Sequence, residues 1–357
     1  MTLATLPRRL GFFTRLLDQA EPAERYRLAT EQILHAERLG FDSAWIAQHH
    51  FHEDEGGLPA PFVFLAQVAA QTSRIRLGTG IVTLPLELPI RVAEDSAVLD
   101  LMCGGRLEIG VGDGGNFSSY ATFGQNSAER TALLVENLKV LRDAWAGRPL
   151  PGGKDRMYPS NPSLVDRVWQ ATFTVEGARR AGAAGDGLML SRTQPRPADA
   201  PDLPLTEIQN PMIDAYLGAL PEGREPRILA SRTVFAADDH DEARRLAEIG
   251  LGRHRARLAR LGRSTGDGTG LDAMIAAMDV HLGTPEQVVA SLKTDSTLAR
   301  ASDLAVQVHS IDPPHPFILR SMELVAEVVA PALGWGRRAN GGGGTSPRRA
   351  HGLNRGR

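Results

Sequence analysis

The chain reads as an α/β protein, specifically a closed TIM-type (β/α)8 barrel, and three observations lead there. Short apolar runs alternate with amphipathic helical stretches along the chain. Three early runs, FDSAWIAQHH (Phe41 to His50), IRLGTGIVTLP (Ile75 to Pro85) and RLEIGVGDGG (Arg106 to Gly115), carry polar or Gly-rich residues where the apolar run ends. Parallel α/β enzymes hold ligands at the carboxyl edge of the sheet, and such an edge leaves this asymmetry in a sequence. Finally, 357 residues with 42% hydrophobic content suffice for one barrel or for two smaller domains.

The elements follow in order. Leu10 to Phe13 reads as a first strand, and Pro22 to Leu39 as a helix with Ala29, Ile33, Leu34 and Ala36 on one side and Gly40 at its end. The pattern repeats as strand 41–47, helix 61–72, strand 75–82, helix 89–102, strand 106–111 and helix 127–145. Val168 to Ala171 leads into helix 174–184, Asp186 to Leu190 forms another strand, Ile228 to Phe235 precedes helix 240–249, and Asp303 to His309 precedes helix 316–332. Eight βα units result, the number in a TIM barrel. Three stretches exceed the minimal repeat: the Pro- and Gly-rich Leu150 to Val165, the Pro-rich Ser191 to Leu205 with four prolines, and Gly250 to Asp279, which joins an Arg-rich helical segment to STGDGTG. Such excursions are lids, substrate loops or tolerated surface insertions; the middle one follows a strand directly and is expected at the pocket.

Charge and cysteine content exclude several classes. The segment Arg337 to Arg357 has six arginines and no acid, so the other 336 residues hold 34 basic and 42 acidic side chains. An acidic body argues against nucleic acid as partner. The tail, Gly-rich and without apolar periodicity, is expected to be disordered, leaving residues 1–336 as one domain. A single Cys103 excludes an internal disulfide framework and fits a reducing cytoplasm. Arg8, Arg9 and Arg15 interrupt the N-terminal apolar residues, and no apolar run is long enough for a bilayer, so a soluble cytoplasmic protein is expected.

His49 and His50 end a strand whose side chains alternate, so one faces the barrel mouth and the other the rim, with His52, Glu53 and Asp54 next. Imidazole suits proton transfer or hydrogen bonding to a polar intermediate near neutral pH. Ligands from one short segment rarely close a metal shell and no HExxH spacing occurs, so no metal is expected. Gly110 to Gly115 satisfies GxGxxG, but it follows a fourth strand and precedes NFSSYATFG, which argues against a Rossmann nucleotide site. These glycines, with Gly78, Thr79 and Gly80, instead suit a planar ligand lying against backbone. Cys103, Trp45, Trp169, Ala93, Val98 and Leu99 read as packing residues.

WIAQHHF (Trp45 to Phe51), GTGIVTLP (Gly78 to Pro85), PIRVAEDSAVLDLMCGGR (Pro89 to Arg106), GVGDGG and GTPEQVVASL (Gly283 to Leu292), in this order, resemble the luciferase-like monooxygenases, flavin-dependent TIM-barrel enzymes that include bacterial luciferase. The resemblance runs from about Leu10 to Leu333, and LGFFTRLLD, QHHFHEDEGGLP, LMLSRTQPRP and VHSIDPPHP are similar to an FMN-dependent bacterial branch. It implies that His49 lies by the isoalloxazine as a catalytic residue, with His50 beside it. Gly80 and Ile81 would lie under the ring, joined by a non-prolyl cis peptide, with Gly112, Asp113 and Gly114 on the next strand. Phosphate would fall to Arg130, Thr174 and the Val175 N–H, the last two at a helix N-terminus. Bacterial luciferase has a Cys and an Arg where this chain has Gly112 and Asp113, and an acid where it has Phe173, so phosphate binding is expected to be weak and Asp113 to repel it unless it faces away.

The implied activity is a two-component monooxygenase: FMN, reduced by a partner flavin reductase, reacts with O2 to a flavin hydroperoxide that oxidises a small organic substrate on a homodimeric enzyme. Gln48, Ser191 and Gln194 are candidates for orienting that substrate. A deazaflavin-dependent oxidoreductase on the same barrel and a non-catalytic flavin-binding protein are the alternatives.

Overall fold

The computed structural model describes residues 8–260, 268 and 270–336; the Arg-rich tail and most of STGDGTG lie outside the described residues. The chain runs β1 (Arg9–Thr14), α1 (Pro22–Leu39), β2 (Ser43–Ile46), α2 (Pro61–Ala69), β3 (Arg76–Thr79), β4 (Val82–Thr83), α3 (Pro89–Met102), β5 (Leu107–Gly112), α4 (Phe117–Thr122) and α5 (Arg130–Trp145). It continues β6 (Val168–Ala171), α6 (Val175–Ala183), β7 (Gly187–Leu190), α7 (Leu205–Ala219), β8 (Ile228–Ala236), α8 (His240–Arg260), α9 (Leu271–Ala277), β9 (Val280–Gly283), α10 (Pro285–Lys293), β10 (Asp303–Gln307) and α11 (His315–Leu324).

Eight of these strands close a parallel barrel in the order β1-β2-β3-β5-β6-β7-β8-β10, and β10 returns to β1 with Leu10 opposite Leu304. All eight were legible as apolar runs, because strands buried on both faces read as continuous apolar sequence. β4 continues the β3 edge along β5, and β9 pairs only with the end of β8. Helix ends obey local chemistry: Pro22 opens α1, and Gly40, at φ 86°, ends it by donating its N–H to the Ala36 and Glu37 carbonyls.

The barrel interior is a small cluster of Trp45, Trp169, Met189, Leu229 and Ala305, with the two indoles edge to face at 5.6 Å. Gly78 and Gly187 make room for them: a Cβ on either would come within 2.2 Å of the facing indole. Gly78 therefore serves packing rather than a ligand, and Thr79, fully buried, binds the Gly110 carbonyl across to β5. Between barrel and helices lies the main core, which includes Cys103 as expected.

Four expectations are corrected. The Pro-rich loop is followed by α7, which presents Leu205, Gln209, Met212, Ile213 and Tyr216 on one buried face; Pro211 inside it obscured the period. α8 runs on to Arg260 rather than stopping at 249, carrying His254 and Arg257 over the barrel mouth. The last helix breaks into α11 and a wider turn at Val325–Val329 before Ala330–Ala332, since Pro331 has no N–H to continue the ladder. On α3, Ala93 and Leu99 are buried, but Val98 is exposed with Leu101 and Met102.

Buried arginines bind the barrel to its shell. Arg167 grips both oxygens of buried Asp100 at 2.6 and 2.8 Å, tying α3 to the segment entering β6. On β8, fully buried Arg232 donates to Asp295 Oδ2 at 2.5 Å and to Gln209 Oε1 at 2.8 Å, joining α7 to the approach to β10. Breaking such a pair leaves a guanidinium with no counter-charge. Asp295→Ala is therefore expected to lose about 3–5 kcal/mol in urea unfolding, whereas Glu94→Ala, in the exposed Arg91–Glu94 pair, should cost under about 1 kcal/mol; equal losses would refute this account.

Candidate active site

Parallel closure sends every strand's carboxyl end to one rim. β1 delivers Arg15, β2 delivers Gln48, His49 and His50, and β3 leads to Gly80 and Ile81, joined by a cis peptide as expected. β5 delivers Gly112, Asp113 and Gly114, β6 leads to Thr172 and Thr174, β7 to Ser191, Arg192 and Gln194, and β10 to His309, Ser310 and Asp312.

The histidine pair divides as its alternation requires. His49 turns to the mouth, where its Nε2 lies 3.0 Å from Arg15 Nη2. Guanidinium can only donate, so Nε2 accepts and the ring proton sits on Nδ1. Burial, then the Arg15 charge, hold this imidazole well below its ordinary value, so it is neutral at pH 7. His50 turns to the rim, its ring 4.8 Å from Phe123 and 5.7 Å from Phe51, with Nε2 buried and without a partner. The loop after His50 is clamped: Arg15 Nη2 donates to the Glu55 carbonyl at 2.5 Å, and Arg257 from α8 donates to Glu55 Oε1 at 2.7 Å.

A further histidine, His309, was not singled out from sequence. His309, 4% exposed, sits 2.7 Å through Nδ1 from Asp312 Oδ2, and its Nε2 is buried without a partner. Burial, Arg192 and Arg15 keep it neutral, so Nδ1–H donates to the carboxylate and Nε2 presents a lone pair. Burial lifts Asp312 to about 6. The His254 ring meets His309 edge-on at 4.9 Å and is itself driven down to about 2, by burial first and then by His309 and Arg192. Buried Arg192 donates through Nη1 to Ser310 Oγ at 3.0 Å and more weakly to Thr233 Oγ1 at 3.4 Å. A cavity of about 20 Å3, room for about one water, lies beside Arg15, His309 and Asp312. The segment VHSIDPPHP held this signal, but as sequence it is only a His three residues before an Asp.

The other expected residues fare unequally. Gly80 and Gly112 line adjacent strand ends, yet their open sides are filled from within: a Cβ on Gly80 would meet the Phe13 ring at 2.5 Å, and on Gly112 Ile81 Cδ1 at 2.7 Å. Gly114, at φ 65°, packs against Thr83. Asp113 does not face away: its Oδ2 lies 3.6 Å from Arg130 Nε and accepts from Thr131 Oγ1 at 3.1 Å. Thr174 caps α6, accepting from Gly177 N–H at 3.0 Å, while the exposed Val175 sits in the first turn, where amides lack intrahelical acceptors. Gln48 is a correction: its Nε2 donates to Glu87 and the Pro59 carbonyl and its Oε1 accepts from Thr83 N–H, so it locks loops together and is not free to orient a substrate. Gln194 turns its amide nitrogen to Met212 on α7, leaving a buried Oε1 without a partner, and Ser191 is half-buried with its Oγ 3.4 Å from Thr193 N.

The rim thus gathers polar atoms that are buried and unpartnered, on His50, Gln194, Gln307 and His309. These fit a planar polar ring lowered into the mouth. The phosphate end fits less well, because Arg130 has a carboxylate beside it; a half-exposed pair of this kind is worth under about 1 kcal/mol, less than the ~1.5–3 kcal/mol of a charged hydrogen bond to phosphate, so Arg130 is weakened but not lost.

Comparison with known proteins agrees with this geometry. The profile of the family described as luciferase-like monooxygenase matches residues 10–299. The crystal structure of monooxygenase RslO1 from Streptomyces bottropensis superposes with a TM-score of 0.74 at 27% identity, covering 91% of this chain and 99% of that one. The oxygenase component of flavin-dependent trigonelline monooxygenase from Acinetobacter baylyi is 29% identical over 158 residues, 44% of each chain. An F420-dependent glucose-6-phosphate dehydrogenase from Amycolatopsis mediterranei is 29% identical over 173 residues, 45% of this chain and 52% of that one. Each of these last two alignments spans about half of the relative. No helix among the described residues is long and apolar enough to cross a membrane.

The neutral imidazoles make stability depend on pH. His49, His50, His254, His281 and His309 are all held below their ordinary value, by burial first, so the unfolded chain takes up protons that the fold refuses. Their contribution is complete above about pH 6.5 and is lost as pH falls below it. Asp303 and Asp312, raised by burial to about 6, bind protons in the fold and offset part of the loss. Unfolding free energy is expected to fall from pH 7 to 5, and His309→Gln to flatten that slope by up to about 1.4 kcal/mol per pH unit; an unchanged slope would show His309 to be protonated in the fold.

Proposed function

This chain belongs to the luciferase-like monooxygenase family and is an oxidoreductase on a TIM barrel; from that premise we propose that it is the oxygenase of a two-component system, using FMN reduced elsewhere and dioxygen to oxidise a small organic substrate. Reduced FMN, when bound, supplies the electrons that activate oxygen. Gly80, Ile81, Gly112 and Gly114 would border its ring, and Arg130, Thr174 and the Val175 N–H its phosphate.

The observation that carries this reading is His49. Its imidazole is neutral, pinned through Nε2 by Arg15, and keeps Nδ1–H as a fixed donor in a mouth screened by α8 and the Glu55 loop. A neutral donor positions and hydrogen-bonds a reacting oxygen rather than discharging a full proton to it. Water exclusion by the clamped loop suits a reaction that must not release reduced oxygen. The weakened Arg130 supports a flavin that arrives and leaves, hence a reductase partner. The exposed apolar residues Val63, Val98, Leu101 and Met102 on α2 and α3 support a second copy of the chain covering that face. The F420-dependent relative supports the second reading, a deazaflavin enzyme that transfers hydride without oxygen.

Two measurements test this. In stopped-flow mixing, the protein is expected to delay oxidation of reduced FMN by oxygen compared with free FMN, and His49→Ala to remove the delay; oxidation at the free rate, with tight binding of F420 instead, would establish the deazaflavin reading. Asp113→Asn should tighten FMN by up to about fivefold, under about 1 kcal/mol, and Arg130→Ala should loosen it, by fluorescence titration; unchanged affinity in both would move the phosphate elsewhere.

A further inference from the structure

The arginines that hold this fold together are matched. Arg167 faces Asp100, Arg232 faces Asp295, and Arg196 takes both oxygens of Asp279 at 2.8 and 2.7 Å. Arg15 and Arg192 are not. Arg15 donates to an imidazole nitrogen and a carbonyl, Arg192 to two hydroxyls, and among the described residues no carboxylate is in ion-pair contact with either. Arg15 Nε is wholly shielded and unpartnered, and Arg192 is 8% exposed.

The carboxylates nearby are committed. Glu55 accepts from Arg257 at 2.7 Å and from Asn116 at 3.0 Å, and Asp312 is engaged by His309. Arg257 has two carboxylates of its own, Glu55 and Asp54 at 3.2 Å, and the three imidazoles among these groups, His49, His254 and His309, are neutral, so Arg15 and Arg192 are left with Asp312 as a nearby anion that touches neither. Burial and mutual repulsion weaken the cations themselves, Arg15 to about 10 and Arg192 to about 9. A fold gains nothing from such an arrangement by itself, because an ion taken from water needs a counter-charge. Two buried, forked, planar donors without a contacting anion match a planar anion with two oxygens.

We propose that the substrate taken by this mouth is a small organic carboxylate, its carboxylate group held by Arg15 and Arg192. The proposal rests on the preceding reading only in calling the bound molecule a substrate. Carboxylate binding would supply the contacting anion that Arg15 and Arg192 lack, and would place the remainder of the molecule toward His49 and His309.

The test uses the flavin-free full chain at constant ionic strength, with formate, acetate and benzoate, the matching amides, and inorganic phosphate as probes in thermal-shift and calorimetric titrations. At least one carboxylate should bind saturably and raise the melting temperature, with its amide about tenfold weaker or more. Arg192→Gln and Arg15→Gln should each weaken that carboxylate about tenfold while leaving the melting temperature of the unliganded protein equal or higher. Arg192→Lys, which keeps charge and loses the fork, should bind at an intermediate level. Binding of no carboxylate beyond a chloride control, equal binding of acid and amide, or saturable binding of phosphate alone would overturn the assignment. So would a lower melting temperature, or failure to fold, in both Arg192 variants, since that would make Arg192 structural. No arm involves flavin or oxygen, so failure here would leave the cofactor reading standing, and loss of the flavin reading would leave a carboxylate site.

Discussion

The return of β10 to β1 is the constraint on which everything else depends. A parallel strand needs a partner on each side, and the pairings of Leu10 with Leu304 and Phe12 with Val306 supply the last ones. Closure forces all eight carboxyl ends to one rim, and it brings together residues as distant in sequence as Arg15 and Asp312. Without it the histidines, arginines and carboxylates of the mouth would be scattered over a sheet edge.

The mouth sets stability against chemistry. Elsewhere the chain buries charge only in matched pairs, such as Arg232 with Asp295, and fills the barrel interior with two crossed indoles and small apolar neighbours. At the rim it does the opposite, keeping cations without contacting anions and imidazoles with a free nitrogen. Local rules that fail at one place and hold everywhere else mark a functional site. Asp113 beside Arg130 belongs to the same economy of charge: it neutralises at small gain the residue proposed above for the phosphate.

Sequence reading located what is encoded locally. The apolar runs of the eight barrel strands, the limits of α1 at Pro22 and Gly40, and the split roles of His49 and His50 all follow from spacing and from residue chemistry over a few positions. It missed α7, where Pro211 interrupts the helical signal and burial against α6 supplies the stability that propensity lacks. It stopped α8 eleven residues early, at 249 rather than Arg260, since the Arg-rich continuation is stabilised by Arg257 reaching Glu55, a partner 202 positions away.

By itself, then, the sequence determined the barrel, the edge at which chemistry sits and the first histidine of the site, because each is written in the order of neighbouring residues. Only the tertiary structure decided how those residues are used. Gln48 looked free and is bound to Glu87, His309 looked incidental and is paired with Asp312, and Arg15 and Arg192 stand far apart in the chain and share one buried field. The reason is physical: a side chain's charge state and free hydrogen-bonding atoms are set by what surrounds it in space, and in a closed barrel those surroundings come from the far ends of the chain.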